Sequence, residues 1–314
     1  MTRKDFISSS AMATAGLALP LSSFADVVTK PTEKMKICIF SKQLQWLDFN
    51  DMASAVAEMG FDGIDLTVRS NGHVLPERVG EDLPKAVEAA NKSGIKILMI
   101  STDIQDAKSP QADTILKTAS SLGIHYYRSG GLNYKKDLDM SDNLDQIKPK
   151  FISLAGLNKK YGLHSDYLNH SGEGFGASLW DLWITLRDLD PKYVGSQFDV
   201  KHASIDGPFS WPITFKLLHK YIKTLCIRDF RWDKRNDIWD IQPVPLGEGM
   251  VDFKKYFNVI KQFQISGPIS LMCDYDLGGA ENGQKKLTKP GNEVLQAMKK
   301  DLNSLKQFLT EAGI

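Results

Sequence analysis

Side chains able to hold a proton, a metal or a hydroxyl recur at the ends of short apolar runs in this 314-residue chain. Lys42 and Gln43 follow the first run. Asp65, Arg69 and His73 lie in and after the second. Ser101, Thr102 and Asp103 follow the third, and Arg128 closes the fourth. Asn169 and His170 follow the fifth, and Asp199 follows the sixth with His202 close behind. Cys226, Arg228 and Asp229 mark the seventh, and Asp274 the eighth. Carboxylates and imidazoles move protons. Guanidinium and ammonium groups hold anions and developing negative charge. Each residue alone also has an ordinary role open to it. Asp199 suits a helix N-cap, and His170 in Asn-His-Ser-Gly suits a turn. Cys226 suits a small buried apolar position, and a lone arginine a structural ion pair. His125 and His219 read as structural. The chemistry therefore rests on convergence, and convergence depends on the fold.

The apolar runs span 36–40, 63–68, 95–100, 124–128, 163–168, 193–198, 222–227 and 268–273. Each has strand length, and most are rich in β-branched or aromatic residues. Helical patterns lie between them at 51–59, 83–93, 112–122 and 147–161, each followed by Gly. A Gly between a helix and a strand fits an αβ joint, because it tolerates the left-handed cap. A long charged helix over 293–312 closes the chain. Strict alternation of strand and helix implies parallel strands, and eight such units predict an α/β fold, a single-domain (β/α)8 barrel over 36–314. The alternative is an open doubly wound sheet, which usually carries a glycine-rich phosphate loop after its first strand. Ser-Lys-Gln-Leu-Gln-Trp stands there instead. In a barrel the active site forms where strands run out into βα loops, which is where the reactive residues lie. Strand parity groups Asp65, Thr67 and Arg69 on one face, His164, Asp166, Leu168 and His170 on another, and Cys226 with Arg228.

Composition narrows the function classes. A net charge of +1 with no basic stripe argues against nucleic-acid binding. No internal apolar run approaches the roughly 18 residues of a membrane span. Residues 1–25 read as a secretory signal: Arg3 and Lys4, an apolar stretch, then Ser23 and Ala25 before a cleavage point at Asp26. The start is twin-arginine-like, with Lys4 in the second arginine's place. Residues 26–35 read as a linker, and the expected location is periplasmic. Three cysteines in no zinc-type spacing suggest neither a disulfide framework nor a zinc motif.

The segments FSKQLQWLDF, GFDGIDLTVRSNGHVLPERV, YLNHSGEGFGAS, FDVKHAS, CIRDF, PLGEGMVDF and GPISLMCDYDLGGAENG occur in that order. Together they resemble the sugar phosphate isomerase/epimerase family, xylose isomerase-like TIM barrels related to D-tagatose 3-epimerase and endonuclease IV. The resemblance covers residues 35–312. It implies one divalent metal ion (Mn, Co, Ni or Zn) at the barrel mouth, with His170, Asp199, Asp274 and Cys226 in the ligand places. Two of these depart from the family pattern. Cys226 stands where His is usual, and thiolate favours softer metals. Asp274 stands where Glu is usual and reaches one methylene less far.

The resemblance also implies proton abstraction beside a carbonyl of a small-molecule sugar or glycoside, with the metal polarising that carbonyl. Asp65, His73, His202 and Arg228 are the candidate catalytic groups, and Lys42, Arg69, Arg128 and Asn169 the candidate substrate contacts. A 3-keto-glycoside lyase or epimerase is a variant of this expectation. The six tryptophans, Trp46, Trp180, Trp183, Trp211, Trp232 and Trp239, suit sugar stacking. The alternative is a catalytically degenerate barrel that binds carbohydrate without turnover. A nuclease like endonuclease IV would want more metals and a basic groove.

Overall fold

The computed structural model describes residues 34–314. The leader expected over 1–25 and most of the linker expected over 26–35 lie outside the described residues. The first strands and helices are β1 (Ile37–Phe40), α1 (Phe49–Met59), β2 (Gly63–Val68), α2 (Val79–Lys92), β3 (Lys96–Thr102), α3 (Ala112–Ser121) and β4 (Tyr126–Arg128). There follow α4 (Met140–Tyr161), β5 (His164–Leu168), α5 (Leu179–Leu186), β6 (Val194–Asp199), α6 (Val200–Asp206), α7 (Trp211–Leu218) and β7 (Ile222–Ile227). The chain ends with β8 (Asp229–Arg235), β9 (Ile238–Val244), α8 (Phe253–Gln262), β10 (Ile269–Leu271) and α9 (Gly291–Ala312).

Eight of these strands close into a parallel barrel in the order β1-β10-β7-β6-β5-β4-β3-β2. All eight expected strands are present, and the expected helices appear as α1, α2, α3, α4 and α9. The αβ joints use the expected glycines: α1 ends at Gly60 with φ 90° and α4 at Gly162 with φ 69°. α1 begins at Asp48, whose side chain accepts from the backbone N–H groups of Asn50 and Asp51. No helix among the described residues is long and apolar enough to cross a membrane.

One element departs from simple alternation. β8 and β9 form a separate antiparallel hairpin that projects after β7. Its two-residue turn is Asn236-Asp237, with φ 49° and 63°. Two consecutive left-handed residues make this a type I′-like turn, whose twist matches that of the flanking strands.

Hydrogen bonds across the barrel settle which strand faces point inward. Asp65 on β2 accepts from Ser101 Oγ on β3 and from Ser270 Oγ on β10, each at 2.7 Å. β10 is not a neighbour of β2, so that bond crosses the interior. Asp166 on β5 likewise accepts from Thr224 Oγ1 on β7 at 2.7 Å. The faces carrying Asp65, Thr67 and Arg69, and Asp166 with Leu168, are therefore the inner ones. Apolar residues such as Ile39, Leu66, Ile100, Phe198 and Leu225, all fully buried, form the core that holds the strand ends in place.

Candidate active site

A cavity of about 480 Å³ opens at the end of the barrel where the strands run out. Lys42, Arg69, Arg128, His170, Arg228 and Asp274 line it. These six expected site residues come from six different strand ends, so the fold brings them together. Phe40, Tyr167 and Phe175 supply apolar walls.

One wall is an ion-paired array built on β6, β7 and β10. β6 runs directly into α6, and Asp199 caps the helix by accepting from the His202 backbone N–H at 3.1 Å. Its other oxygen accepts from Arg228 Nε at 2.6 Å. Arg228 Nη1 donates to Asp274 Oδ2 at 2.5 Å, and Lys201 Nζ donates to the same oxygen at 3.3 Å. The guanidinium thus bridges two carboxylates. Burial, the largest single effect, pushes both acids up, but Arg228, Lys201 and the hydrogen bonds they accept together outweigh it and hold Asp199 and Asp274 below their ordinary values. Burial works against the Arg228 charge, and the two aspartates more than offset it. Arg228 Nη2 is buried and has no hydrogen-bond partner among the described residues.

Next to this array lie two histidines. The rings of His170 and His202 stack with centroids 3.8 Å apart. His202 is 4% exposed, and its Nδ1 meets Ser171 Oγ at 2.8 Å. Burial, then the Arg228 charge, lowers it to about 2, so it stays neutral. His170 is exposed, and its Nδ1 lies 2.9 Å from the Ser171 carbonyl. A carbonyl only accepts, so Nδ1 carries a proton, and in the neutral ring Nε2 keeps the lone pair.

The four expected metal ligands do not make a metal site. Among the described residues no group of three or more His, Cys, Asp or Glu is placed to hold a metal ion. Asp199 and Asp274 already neutralise Arg228. The Cys226 thiol is fully buried against Phe40, Met272 and Leu168. Burial, then Asp199, raises it well above its ordinary value, which keeps it from acting as a thiolate. His170 lies past the end of β5 and stacks on His202. This donor set does not fit a divalent ion, because a cation already occupies the space between its carboxylates.

Other expected residues have structural roles. Both oxygens of Asp65 are taken inside the barrel, and burial raises its carboxyl. His73 engages the Leu44 carbonyl through Nε2 and Thr67 Oγ1 through Nδ1, away from the cavity. Asn169 clamps β5 to β6: its Nδ2 donates to the Asp199 carbonyl at 3.0 Å, and its Oδ1 accepts from the Asp199 N–H at 2.7 Å. Asp229 gathers the backbone N–H groups of Gly247, Gly249 and Val251 below the hairpin. None of the six tryptophans lines the cavity. Asn169→Ala is expected to cost about 2–3 kcal/mol, since it leaves a buried N–H and a buried C=O unpaired. Urea denaturation checks this, and an unchanged midpoint would show that the clamp is dispensable.

Sequence reasoning missed Lys201, Ser171 and the aromatic walls. Lys201 carried a usable signal. It stands between Asp199 and His202 on the first turn after a strand, where side chains point at the barrel mouth.

Solved structures share this architecture at low identity. A 3-keto-D-glucoside 4-epimerase, YcjR, from E. coli is 12% identical with a TM-score of 0.63, covering 86% of this chain and 100% of that one. The IOLI protein with a bound zinc atom is 16% identical with a TM-score of 0.66, covering 87% and 99%. D-psicose 3-epimerase in the presence of D-fructose is 13% identical with a TM-score of 0.64, covering 88% and 99%. No curated protein matches the chain. The family profile described as "Xylose isomerase-like TIM barrel" matches residues 53–300, nearly the whole of the closed barrel, and the chain belongs to that family.

Proposed function

We propose that the protein is a sugar isomerase/epimerase-type enzyme that moves a proton beside the carbonyl of a sugar or keto-sugar. The observation that carries this reading is Arg228. It is a buried cation with one free N–H edge, locked by two carboxylates, at the mouth of a sugar-epimerase-like barrel. As a base removes the C–H proton, the electron pair moves onto the carbonyl oxygen. Arg228 Nη2 has no competing acceptor among the described residues and suits that oxygen. Asp199 and Asp274 keep the guanidinium from rotating away. His170 Nε2 has the free lone pair that a proton carrier needs. Return of the proton to the neighbouring carbon gives isomerisation, and return to the opposite face gives epimerisation. A leaving group β to the carbanion would give elimination, the lyase variant. No step is routed through a metal, because the donor set does not fit one. Export to the periplasm rests on the leader-like start, and N-terminal sequencing of secreted protein from Asp26 onward tests it.

The test is solvent exchange. Protein dialysed against EDTA is incubated with keto-sugars in D2O and followed by proton NMR. Loss of the signal beside the carbonyl is expected, with metal below about 0.1 equivalent. His170→Gln is expected to slow it by about 10²–10⁴-fold, the usual worth of a general base. A strict requirement for added metal would sink the arginine mechanism. A second reading, binding without turnover, is favoured by the engagement of both carboxylates with Arg228. Saturable sugar binding with no exchange on any sugar would select it.

A further inference from the structure

The half of the mouth formed by the ends of β1, β2 and β4 differs from the ion-paired wall. Lys42, Arg69 and Arg128 all line the cavity there. Among the described residues, none of the three makes an ion pair or a side-chain hydrogen bond. Arg128 is only 8% exposed, yet its guanidinium rests on a hydrocarbon surface, 4.6 Å from the Phe40 ring centroid. Arg69 lies over the same ring at 5.5 Å. Stacking on a ring face leaves the N–H edges of both forks free. One fully buried carboxylate, Asp65, attracts Arg128 and Arg69 but gives both its oxygens to serines, and the two acids that line the cavity add no ion pair to the three cations. Asp274 is bound to Arg228 and Lys201. Asp103 accepts the Ser70 backbone N–H at 3.2 Å and is exposed.

A buried, unpaired guanidinium is costly to keep unless a ligand completes it. Uncharged hydroxyls would satisfy the donors but leave the charge. We infer that this wall is a receptor for a carboxylate, and that the ligand of the site is a sugar acid. The inference rests on the enzyme reading above for the identity of the site, and it adds the substrate class. A carboxylate is favoured over a phosphate for two reasons. Barrels usually seat phosphate at the loops after their seventh and eighth strands. Here those ends, β7 and β10, carry Arg228 and Asp274, whereas the free cations sit on the first, second and fourth strands. Planar guanidinium forks also match a planar carboxylate. A carboxylate held by these cations would, in turn, make the C–H beside it easier to deprotonate.

Titration calorimetry on the purified protein tests this, with D-glucuronate, D-galacturonate, D-glucose and D-glucose 6-phosphate as probes. At least one uronate is expected to bind about tenfold or more tighter than glucose and glucose 6-phosphate, and to weaken as salt rises. Arg69→Gln and Lys42→Gln are expected to weaken it about tenfold each, a typical loss for one charge-assisted contact. Both residues are only partly buried, so unchanged melting temperatures separate lost recognition from lost folding. Equal binding of glucose, binding of the phosphate alone, or no effect of Arg69→Gln would overturn the inference. The two readings fail separately. Uronate binding without proton exchange on any sugar removes the enzyme reading and keeps the receptor. Exchange on neutral keto-sugars without uronate binding does the reverse.

Discussion

Arg228→Met is expected to destabilise the protein by about 3–5 kcal/mol, the usual cost of removing one partner from a buried ion pair. The substitution keeps most of the side-chain volume, so the loss comes from charge. Asp199 is fully buried and the Asp274 side chain is 19% exposed. Without Arg228 they face each other with Lys201 as the cation paired to Asp274 among the described residues. The attribution is checked by Arg228→Met with Asp274→Asn, which removes one of the two orphaned charges. That double variant is expected to recover about half of the loss. Arg228→Lys is expected to fall between, because an ammonium lacks the fork that reaches both carboxylates. The measurement is the denaturation midpoint at neutral pH. Loss below about 1 kcal/mol for Arg228→Met would mean that the carboxylates are not held by this residue. A rise in zinc or manganese content of the variant would show that the carboxylates take a metal once the guanidinium is gone.

The same array shows where reading from the chain succeeded and where it stopped. The barrel was legible because alternation and the glycines at helix ends are local signals repeated many times. The hairpin was not, since its turn is Asn236-Asp237 and lacks the glycine that usually marks a type I′ turn. The cationic residues of the mouth were legible from position alone, because a residue at a strand's end has few places to point. What sequence could not supply was pairing. Asp199 and Asp274 suit a metal or a guanidinium equally well, and only the distances to Arg228 decide. Cys226 reads as a ligand until Leu168, Phe40 and Met272 are seen packed around it. Asn169 reads as a sugar contact until its amide is found clamping the Asp199 backbone. Asp65 reads as an acid–base group until its face is known to point into the barrel's interior, where serines take both oxygens. Parity identified which residues go together but not which way they turn. A single hydrogen bond across the barrel settles that.

Acid titration should separate two groups, the half-buried His73 and the buried Asp301, whose effects have opposite signs. Burial lowers His73 to about 4. Its Nε2–H meets the Leu44 carbonyl, which opposes the shift, leaving Nδ1 to face Thr67 Oγ1, and the positive charge of Lys285 lowers it a little further. The unfolded chain protonates this histidine near its ordinary value of about 6.5, before the folded protein does. Its contribution is therefore full above about pH 6.5 and is lost as pH falls toward about 4. The limit is about 3 kcal/mol, at 1.36 kcal/mol per unit. Burial raises Asp301 to about 6, with its Oδ1 accepting the Leu246 N–H at 3.1 Å. The folded protein protonates this acid first, so its contribution is present at low pH and is lost as pH rises through about 6. Other acids raised by burial, among them Asp65, Asp181 and Asp206, form a background common to all variants. The observable is thus the difference from the unsubstituted protein. Relative to it, His73→Gln should gain stability, by up to about 3 kcal/mol, as pH is lowered from about 6.5 to about 4. Asp301→Asn should lose a comparable amount over about pH 6 to 4. Denaturant titrations at four pH values across this window decide the matter. Parallel curves for His73→Gln and the unsubstituted protein would show that the imidazole is solvated in the folded state.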